Sequence, residues 1–449
     1  MKRFALGRFV TLVCASSLMG STAAYASAFQ LYEQDGAAIG TYHAGYAASA
    51  NDASTAFYNP AGIVRFQNQQ VVIGSDVIMT DYEYRGSLGL REGTPPIVFT
   101  KSYQNIVAQG GTFNVVPFLH YVAPIADWIG FGFSIDVPFG LKTDYGRSTP
   151  LRYAATLTSI IIVDVSPSLG IKLTDKASIG FGVDLQRAYG EFDSVGTLIA
   201  IPNTDTTSTN RANGTGYGYH LGALYQFTPD TRVGVSYHSQ VVHHLSGSSK
   251  FEGPIANTFN NGPLDSARLS ARLTLPPYTA FSIYHRVMPQ LALMGSAIYT
   301  QWSTFRGLTL TGVSGAVNLP FPFIVGTSND IQVTVPEFYR NTWNFTFGTE
   351  YYASEALTFR GGLGYDQTPV RGTYRNVQLP DNNRYVVALG SHFQATKTVG
   401  VDIGWTHVFL SKAKVNPPAQ VAGGQTVTTN GTATGGADVI GGQIVWDII

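Results

Sequence analysis

Apolar and polar residues alternate along most of the chain after residue 67. Trp343, Phe345 and Phe347, for example, occupy every second position. Asn344 and Thr346 lie between them. Because successive side chains of a strand point to opposite sides, this pattern predicts strands with one apolar face and one polar or small face.

The alternation predicts about fourteen strands. They lie at roughly 68–84, 111–123, 128–138, 154–172, 176–194, 214–228, 231–246, 267–286, 290–312, 337–352, 356–368, 382–395, 398–412 and 436–449. Short turns alternate with long connections, near 85–110, 139–153, 195–213, 247–266, 313–336, 369–381 and 413–435.

A soluble sandwich would show the same local alternation, but the loop asymmetry and strand length favour a membrane barrel. Short periplasmic turns and longer external loops are typical of outer-membrane barrels, and many predicted strands exceed the ~9–11 residues that cross a bilayer. The predicted fold is therefore all-β, a transmembrane antiparallel β-barrel of about 14 strands. An even strand number places both termini in the periplasm.

Residues 27–67 break this pattern. They are rich in Ala, Gly, Ser and Asn, with neither sustained alternation nor a long helical stripe. Eight strands make a barrel filled by its side chains, whereas 16–18 leave an aqueous channel. Because fourteen strands would leave a lumen too wide for side chains to fill, we predict that residues 27–67 form a plug, called the hatch below. Residues 68–449 then form the barrel.

The first 26 residues have the features of a secretory signal peptide. Three basic residues precede an apolar run at 9–19, and Ala-Tyr-Ala at 24–26 fits the small-x-small cleavage rule. We predict cleavage after residue 26, with Ala28 as the alternative. Cys14 is the only cysteine and lies in this leader. The mature chain would therefore have no disulfide, cysteine nucleophile or thiolate metal site.

Composition agrees with a membrane barrel. Charged residues are 12% of the chain, against about 25% in soluble domains, and no apolar run of ~18 residues follows the leader. The net charge is 0, which indicates no nucleic-acid partner. The adjacent His243 and His244 would point to opposite strand faces, so no metal site is predicted. No catalytic set and no cofactor motif stands out.

Residues 27–33 (SAFQLYE) followed by 59–61 (NPA) resemble the hatch of the FadL/TodX family, the long-chain fatty acid transporters of Gram-negative outer membranes. Further segments similar to the family follow in its order, at 116–124, 273–276, 298–303, 347–352 and 378–381. The resemblance implies a fourteen-stranded barrel with a hatch, an apolar ligand pocket and a lateral exit at a kink in the third strand.

The function that this resemblance implies is passive uptake of long-chain fatty acids or similar hydrophobic molecules through the outer membrane. A channel for aromatic or alkane hydrocarbons is the alternative within the family. An outer-membrane lipase and a surface adhesin are the alternatives outside it. Outer-membrane lipid and lipopolysaccharide are the expected surroundings of a monomeric barrel.

Pro138 gives an independent reason for a kink in the third strand. Proline has no N–H for the ladder and in sheets is confined to edges, strand starts and bulges. Because a barrel has no edges, Pro138 beside Gly140 predicts a bulge or break in the wall. The alternative is that the strand ends at Val137.

The resemblance also implies specific functional residues. Asn59 of the Asn59-Pro60-Ala61 motif would hydrogen-bond the backbone groups freed at Pro138 and Gly140, and these five residues form the predicted gate. The alternative is that Asn59-Pro60 is an ordinary turn inside the plug.

Two arginines are predicted to meet a carboxylate head group, again by the resemblance. Arg187 and Arg340 occupy positions where the family has basic residues. The alternative is that each forms a salt bridge on the lumen wall, for Arg187 with Glu191 or Asp184. His120 is expected to be a lumen-facing structural hydrogen bonder. The aliphatic Ile449 departs from the aromatic ending usual in such barrels, which puts assembly efficiency in question.

Overall fold

The computed structural model of the chain describes residues 28–319 and 325–448. The predicted leader and its cleavage position, Ser27 and Ile449 lie outside these residues, so they stay predictions. The strands are β1 (Gln69–Thr94), β2 (Ile97–Gln109), β3 (Phe113–Ala126), β4 (Ile129–Asp144), β5 (Leu157–Lys172), β6 (Ala177–Gly196), β7 (Thr206–Thr228), β8 (Thr231–His238), β9 (Val241–Glu252), β10 (Leu264–Leu275), β11 (Tyr278–Met288), β12 (Leu291–Thr300), β13 (Gly307–Asn318), β14 (Val325–Pro336), β15 (Thr342–Tyr352), β16 (Leu357–Asp366), β17 (Arg384–Gln394), β18 (Val399–Val415), β19 (Gln420–Ala422) and β20 (Gln425–Ile448).

Antiparallel pairing closes these strands into a barrel. β1 pairs with β20 from Gln69 opposite Ile448 to Glu92 opposite Gln425. The wall follows the order β1, β3, β4, β5, β6, β7, β8, β11, β12, β15, β16, β17, β18 and β20. The fourteen-strand barrel predicted from the sequence is confirmed.

The remaining strands prolong the wall at one end. The sequence predicted strands for most of β10 and for the first halves of β9 and β13, but it predicted loops for β2, β14 and β19. β9 pairs with β7 and β10, and β13 pairs with β10 and β14. The predicted long loops at 85–110, 195–213 and 313–336 are therefore wrong in large part. These extensions are rich in Thr, Ser and Asn, and backbone pairing holds them to the wall. β10 still alternates, with Leu269, Leu273 and Leu275 buried.

The barrel is apolar outside and polar or small inside, the reverse of a soluble sandwich. Phe181 is 48% exposed and Phe347 is 53% exposed, whereas Asn344 is 2% exposed. The inward positions of β6 next to Phe181 are glycines. This arrangement fits a wall that faces lipid.

The helices are short. They are α1 (Gly36–Ile39), α2 (Thr55–Tyr58), α3 (Pro254–Asn260) and 3₁₀ helices at Pro60–Arg65, Pro150–Tyr153 and Trp302–Thr304. Among the residues that the structure describes, no helix is long and apolar enough to cross a membrane. α1 begins after Asp35, whose carboxylate caps it by accepting the N–H of Ala38.

The segment from Ala28 to Arg65 is almost entirely buried against inward-facing wall residues. Glycines permit this close approach. A Cβ on Gly222 would lie 1.9 Å from Asn59 Oδ1, and one on Gly234 would lie 1.8 Å from the Ala47 carbonyl oxygen. The wall glycines therefore let the segment's backbone come within contact distance of the strands.

Candidate functional site

The barrel wall opens between β3 and β4. Their pairing starts near the β3–β4 turn and stops at Leu119 opposite Ile135. β3 continues to pair with β1 as far as Phe113, and β4 continues to pair with β5. Beyond Ile135, β4 is therefore no longer paired with β3.

β4 is bulged where it leaves β3. Its register against β5 shifts between Asp136 and Phe139, so Val137 and Pro138 together face a single residue of β5. This is the irregularity that the missing N–H of Pro138 predicts. The strand does not end at Val137, because it continues to Asp144.

The first described residues take the place of β3 along this edge. The N–H of Leu31 donates to the Pro138 carbonyl at 2.9 Å, and the N–H of Gly140 donates to the Phe29 carbonyl at 2.8 Å. Gln30 lies opposite Phe139 in an antiparallel bridge. A short strand from inside the barrel therefore satisfies the backbone groups that the break exposes.

Gln34 satisfies the remaining groups at the bulge. Its Nε2 donates to the Val137 carbonyl at 3.0 Å, and its Oε1 accepts the Val137 N–H at 3.1 Å. His120, which is fully buried, lies next to it: Nε2 is 2.7 Å from the Gln34 carbonyl oxygen and Nδ1 is 2.9 Å from Ser134 Oγ. His120 thus faces the interior and joins the wall to the hatch.

Asn59 does not hydrogen-bond the bulge, and this expectation from the family resemblance is wrong. Its Nδ2 donates to the Ala47 carbonyl at 2.6 Å and to the Ala223 carbonyl of β7 at 3.1 Å. Its Oδ1 accepts the Ala61 N–H at 3.1 Å and caps the 3₁₀ helix that starts at Pro60. β7 is three strands away from β4, so a short Asn side chain at this position cannot reach Val137.

A cavity opens next to this junction. Apolar side chains from the hatch, the wall and the extensions line much of it, including Phe29, Leu141, Ile160, Phe192, Phe305, Leu308, Leu310, Ile331, Val333 and Leu379. The Phe29 ring centroid lies 4.9 Å from Trp302 and 5.4 Å from Phe305 in edge-to-face contacts. Phe29 therefore borders the cavity with its ring and the wall break with its backbone.

Arg187 does not face this cavity. Leu185, Arg187 and Tyr189 are all exposed on the outer side of β6. Arg187 donates to Asn213, also on the exposed side. The predicted lumen position of Arg187 is wrong, and so are its alternative salt bridges, because Glu191 pairs with Arg211 and Asp184 with His220.

Arg340 is also exposed and does not line the cavity. Its Nε donates to the Thr368 carbonyl at 3.1 Å. Tyr339 and Glu337, the neighbours in the alternating pattern, line the cavity instead. The predicted contact between Arg340 and a ligand in this cavity is therefore wrong by one position of side-chain alternation.

The charged residues that line the cavity are acids. Glu92, Asp193 and Glu337 contribute to the wall, and the described lining residues include no Lys, Arg or His. Glu337 is 7% exposed. Asn376 Nδ2 donates to its Oε1 at 2.8 Å, and the Tyr339 hydroxyl lies next to the same carboxyl group. Burial raises the pKa of Glu337 to about 8, although the hydrogen bonds from Asn376 and Tyr339 favour the charged form.

Three titratable side chains that the sequence patterns did not connect meet under the hatch. Atoms of Asp184, His220 and His238 lie within 4.8 Å of one another. His220 Nδ1 is 2.6 Å from Asp184 Oδ1, and its Nε2 is 3.2 Å from the Ala56 carbonyl oxygen. The rings of His220 and His238 stack with an interplanar angle of 16°. The contact between His220 and the Ala56 carbonyl joins this cluster to the hatch.

This barrel matches a known family of outer-membrane proteins. The family model described as "Outer membrane protein transport protein (OMPP1/FadL/TodX)" matches residues 17–447. The long-chain fatty acid transport protein of Salmonella typhi is 28% identical over 418 residues, covering 88% of this chain and 90% of the relative.

Two solved structures share the fold. A Pseudomonas aeruginosa FadL homologue superimposes with a TM-score of 0.79 at 24% identity, covering 94% of this chain and 99% of that one. The Ralstonia pickettii toluene transporter TbuX gives a TM-score of 0.62 at 19% identity, covering 92% and 98%. With a family match over nearly the whole sequence, this chain belongs to the OMPP1/FadL/TodX family of outer-membrane transport proteins and is not an enzyme.

Proposed function

We propose that this protein takes up long-chain fatty acids or similar hydrophobic molecules through the outer membrane, without energy coupling. The molecule would enter the cavity from the side of the strand extensions and leave through the wall between β3 and β4. The observation that carries this proposal is the position of Phe29, which borders the apolar cavity with its ring and pairs with the freed edge of β4 with its backbone.

The chemistry of a long apolar ligand favours a lateral exit. Burial of each CH₂ is worth ~0.8 kcal/mol, so a sixteen-carbon chain gains roughly 12 kcal/mol on leaving water. Passage straight down a polar lumen would lose that gain. Asp76, Asp136, Asp164 and Asp184 all point into the lumen and are buried there. Release into lipid keeps the chain in an apolar environment throughout.

The hatch must then move for transport to occur. Residues 29–31 and Gln34 fill the break, with backbone bonds of 2.8 and 2.9 Å and two side-chain bonds to Val137. A ligand that displaces the Phe29 ring would weaken this backbone pairing between the hatch and β4. Pro138 and Gly140 are gate residues in this proposal because their backbone groups bond the hatch. The Asn59-Pro60-Ala61 segment would hold the hatch to β7 through Asn59 while the gate opens.

A channel for aromatic or alkane hydrocarbons is the second candidate. The name of the Salmonella relative favours the first candidate, because it specifies a long-chain fatty acid. The apolar outer face implies direct contact with outer-membrane lipid and lipopolysaccharide, and we expect a monomeric barrel.

A reversible lock tests the exit. Gln30 and Phe139 form the bridge flanked by the bonds 29–140 and 31–138, which makes them a non-hydrogen-bonded pair with Cα atoms about 4.5 Å apart. Cysteines at both positions can form a disulfide. We expect the oxidised Gln30→Cys/Phe139→Cys variant to lose uptake of radiolabelled palmitate by cells, and reductant to restore it.

The controls are the two single-cysteine variants, which keep any effect of the lost side chains but cannot lock. Uptake of toluene and hexadecane in the same cells separates the two candidate ligand classes. Full uptake of palmitate by the locked protein would rule out exit past Phe29.

A further inference from the structure

We propose that Arg187 and Arg272 bind the phosphates of lipid A, the membrane anchor of lipopolysaccharide, on the outer surface of the barrel. His244 lies between the two arginines and completes the site. This surface faces away from the lumen, so the proposal is independent of the ligand that the cavity takes. It follows from a row of exposed side chains that crosses β6, β7, β9 and β10.

Two pairs of exposed residues make up the row. Arg187 of β6 lies opposite Thr215 of β7, and Arg272 of β10 lies opposite His244 of β9. All four side chains are exposed, whereas the residues on either side of each of them in the sequence are buried or only partly exposed. They therefore share the outward face of the wall.

The register between β7 and β9 joins the two pairs. Asn213 lies opposite Ser246, and two residues farther along the antiparallel strands Thr215 comes to lie beside His244. A Cβ on Gly214 would lie 2.2 Å from the His244 carbonyl oxygen, so β7 and β9 are still in contact at this level. Because neighbouring strands are about 4.8 Å apart, the Cα atoms of the two arginines are roughly 14 Å apart.

The row lies at the outer border of the membrane. Lys176 belongs to the short turn before β6, and Arg187 follows it by 11 residues. At about 3.4 Å per residue and a tilt of about 40°, this distance is roughly 28 Å along the barrel axis, close to the ~25 Å height of the apolar band of such barrels. The outward positions between the two residues are Ile179, Phe181, Val183 and Leu185. Arg187 is therefore the first outward charge of β6 beyond the hydrocarbon.

Tyrosines mark the same border on the neighbouring strands. Tyr217 of β7 lies opposite Leu185, one outward position below the row, and is 72% exposed. Below it, the rings of Tyr219 and Tyr237 lie with their centroids 6.1 Å apart. Aromatic girdles of this kind lie at the membrane interfaces of outer-membrane barrels. An anion that meets the row is thus at the level of lipid head groups.

The two arginines are available to such an anion. Arg187 donates to Asn213 Oδ1, which is a neutral acceptor. Glu191, farther along β6, pairs with Arg211 instead. Within the part of the chain that the structure describes, neither Arg187 nor Arg272 forms an ion pair. A guanidinium binds phosphate through two parallel hydrogen bonds, which makes arginine well suited to this contact.

The opposite side of the barrel carries a carboxylate at the same height. Asp438 of β20 lies ten residues before Ile448, at the short-turn end. It accepts from Trp405 Nε1 at 3.0 Å, and His407 Nδ1 lies 2.8 Å from it. A carboxylate at this level repels phosphate, so we place the site on the side of β6 to β10.

Lipid A matches two separated arginines. It carries one phosphate at each end of a two-sugar backbone, with its acyl chains directly below, whereas a phospholipid carries a single phosphate. One molecule of lipid A can therefore meet Arg187 and Arg272 together while its acyl chains lie against the tyrosines and the apolar band.

The test compares lipids that differ in their phosphates. Purified, delipidated protein in detergent is titrated with lipid A, with monophosphoryl lipid A and with phosphatidylglycerol, and native mass spectrometry measures the bound fraction. For the wild type, we expect lipid A to bind about tenfold more tightly than either of the others, the ratio that one charge-assisted hydrogen bond supplies. Inorganic phosphate, which has no acyl chains, should not displace lipid A.

Substitutions assign the site to the row. Arg187→Gln combined with Arg272→Gln should weaken lipid A binding about tenfold, and Arg187→Lys combined with Arg272→Lys should lie between this variant and the wild type, because lysine keeps the charge but loses the fork. Lys412→Gln, at an exposed position of β18 across the barrel, is the matched control and should bind lipid A as the wild type does.

Equal affinity of the wild type for lipid A and for either other lipid would overturn the inference, and so would displacement by inorganic phosphate. Unchanged lipid A binding in the folded double glutamine variant would also overturn it. The comparison of lipids on the wild type needs no variant, so a folding defect leaves it decisive. Uptake of palmitate is not measured in this experiment, and the proposed transport function is tested separately.

Discussion

The backbone N–H of Gly140 donates to the carbonyl of Phe29 at 2.8 Å, while the Phe29 ring packs 4.9 Å from that of Trp302 at the border of the cavity. One residue thus connects the cavity to the broken edge of β4. In the transport that we propose, a ligand that displaces this ring would weaken the backbone pairing, and occupancy of the cavity would be coupled to opening of the wall.

Gln34 should control how firmly the hatch holds β4. Gln34→Leu removes both bonds to Val137 and leaves two buried backbone groups unsatisfied, at about 1–3 kcal/mol each. We expect hydrogen exchange at the Val137 amide to accelerate at least tenfold. Gln332→Leu, at an exposed position of β14, is the control. Unchanged exchange at Val137 would show that the bulge is held without Gln34.

The lack of a side chain at Gly222 should be required for Asn59 to bond Ala47 and Ala223. A methyl group at Gly222 would lie 1.9 Å from Asn59 Oδ1 and would displace a side chain that bonds Ala47 and Ala223. We expect Gly222→Ala to lower the free energy of unfolding by about 1–3 kcal/mol, the usual cost of overpacking. Thermal unfolding followed by circular dichroism measures this.

The control for Gly222→Ala is Gly295→Ala. A Cβ at Gly295 has no heavy atom nearer than 3.6 Å, so this substitution should change stability by less than about 0.5 kcal/mol. Equal stability of the two variants would contradict a tight contact between the hatch and β7.

The two arginines should be dispensable for binding in the cavity. Arg187 lies on the outer face, and Arg340 bonds the Thr368 carbonyl at the surface. We expect Arg187→Ala and Arg340→Ala, singly and together, to leave the dissociation constant of palmitate within about twofold of the wild type. A loss of tenfold or more in the double variant would restore the head-group role that the family resemblance implied.

Glu337 should make stability depend on pH. Because its pKa is raised to about 8 in the folded protein, the folded state holds a proton that the unfolded state releases near its ordinary value of about 4.3. The contribution of Glu337 to the free energy of unfolding is fully present below about pH 4.3 and is lost as the pH rises through 8.

Glu337→Gln removes this pH-dependent contribution to stability, since the amide does not titrate. Between about pH 5 and 8, the wild type should lose up to about 1.4 kcal/mol per pH unit relative to Glu337→Gln. Unfolding in denaturant at several pH values checks the difference between the two proteins, in which the other buried carboxylates cancel. Parallel stability curves would contradict a buried, protonated Glu337.

The sequence alone was sufficient for the architecture of the wall. Alternation such as Trp343-Asn344-Phe345 fixes which side chains face outward, since the period of a strand is two. Pro138 predicted the bulge in β4, because a missing N–H is a local property that no tertiary contact can restore. The strand extensions escaped this reasoning only in part. Stretches such as 326–330 of β14 contain no apolar side chain larger than glycine, and their backbone pairing leaves no apolar pattern.

The tertiary structure decided which side chains meet. The choice of Gln34 over Asn59 as the partner of Val137 depends on the path of the hatch through the lumen, and contacts across 103 residues of sequence leave no local signal. Arg340 and Glu337 are close in sequence and differ in whether they face the cavity, and an irregular segment before β15 sets that difference. A strand pattern assigns a face only where the strand is regular, so the identity of the cavity's polar group required the fold itself.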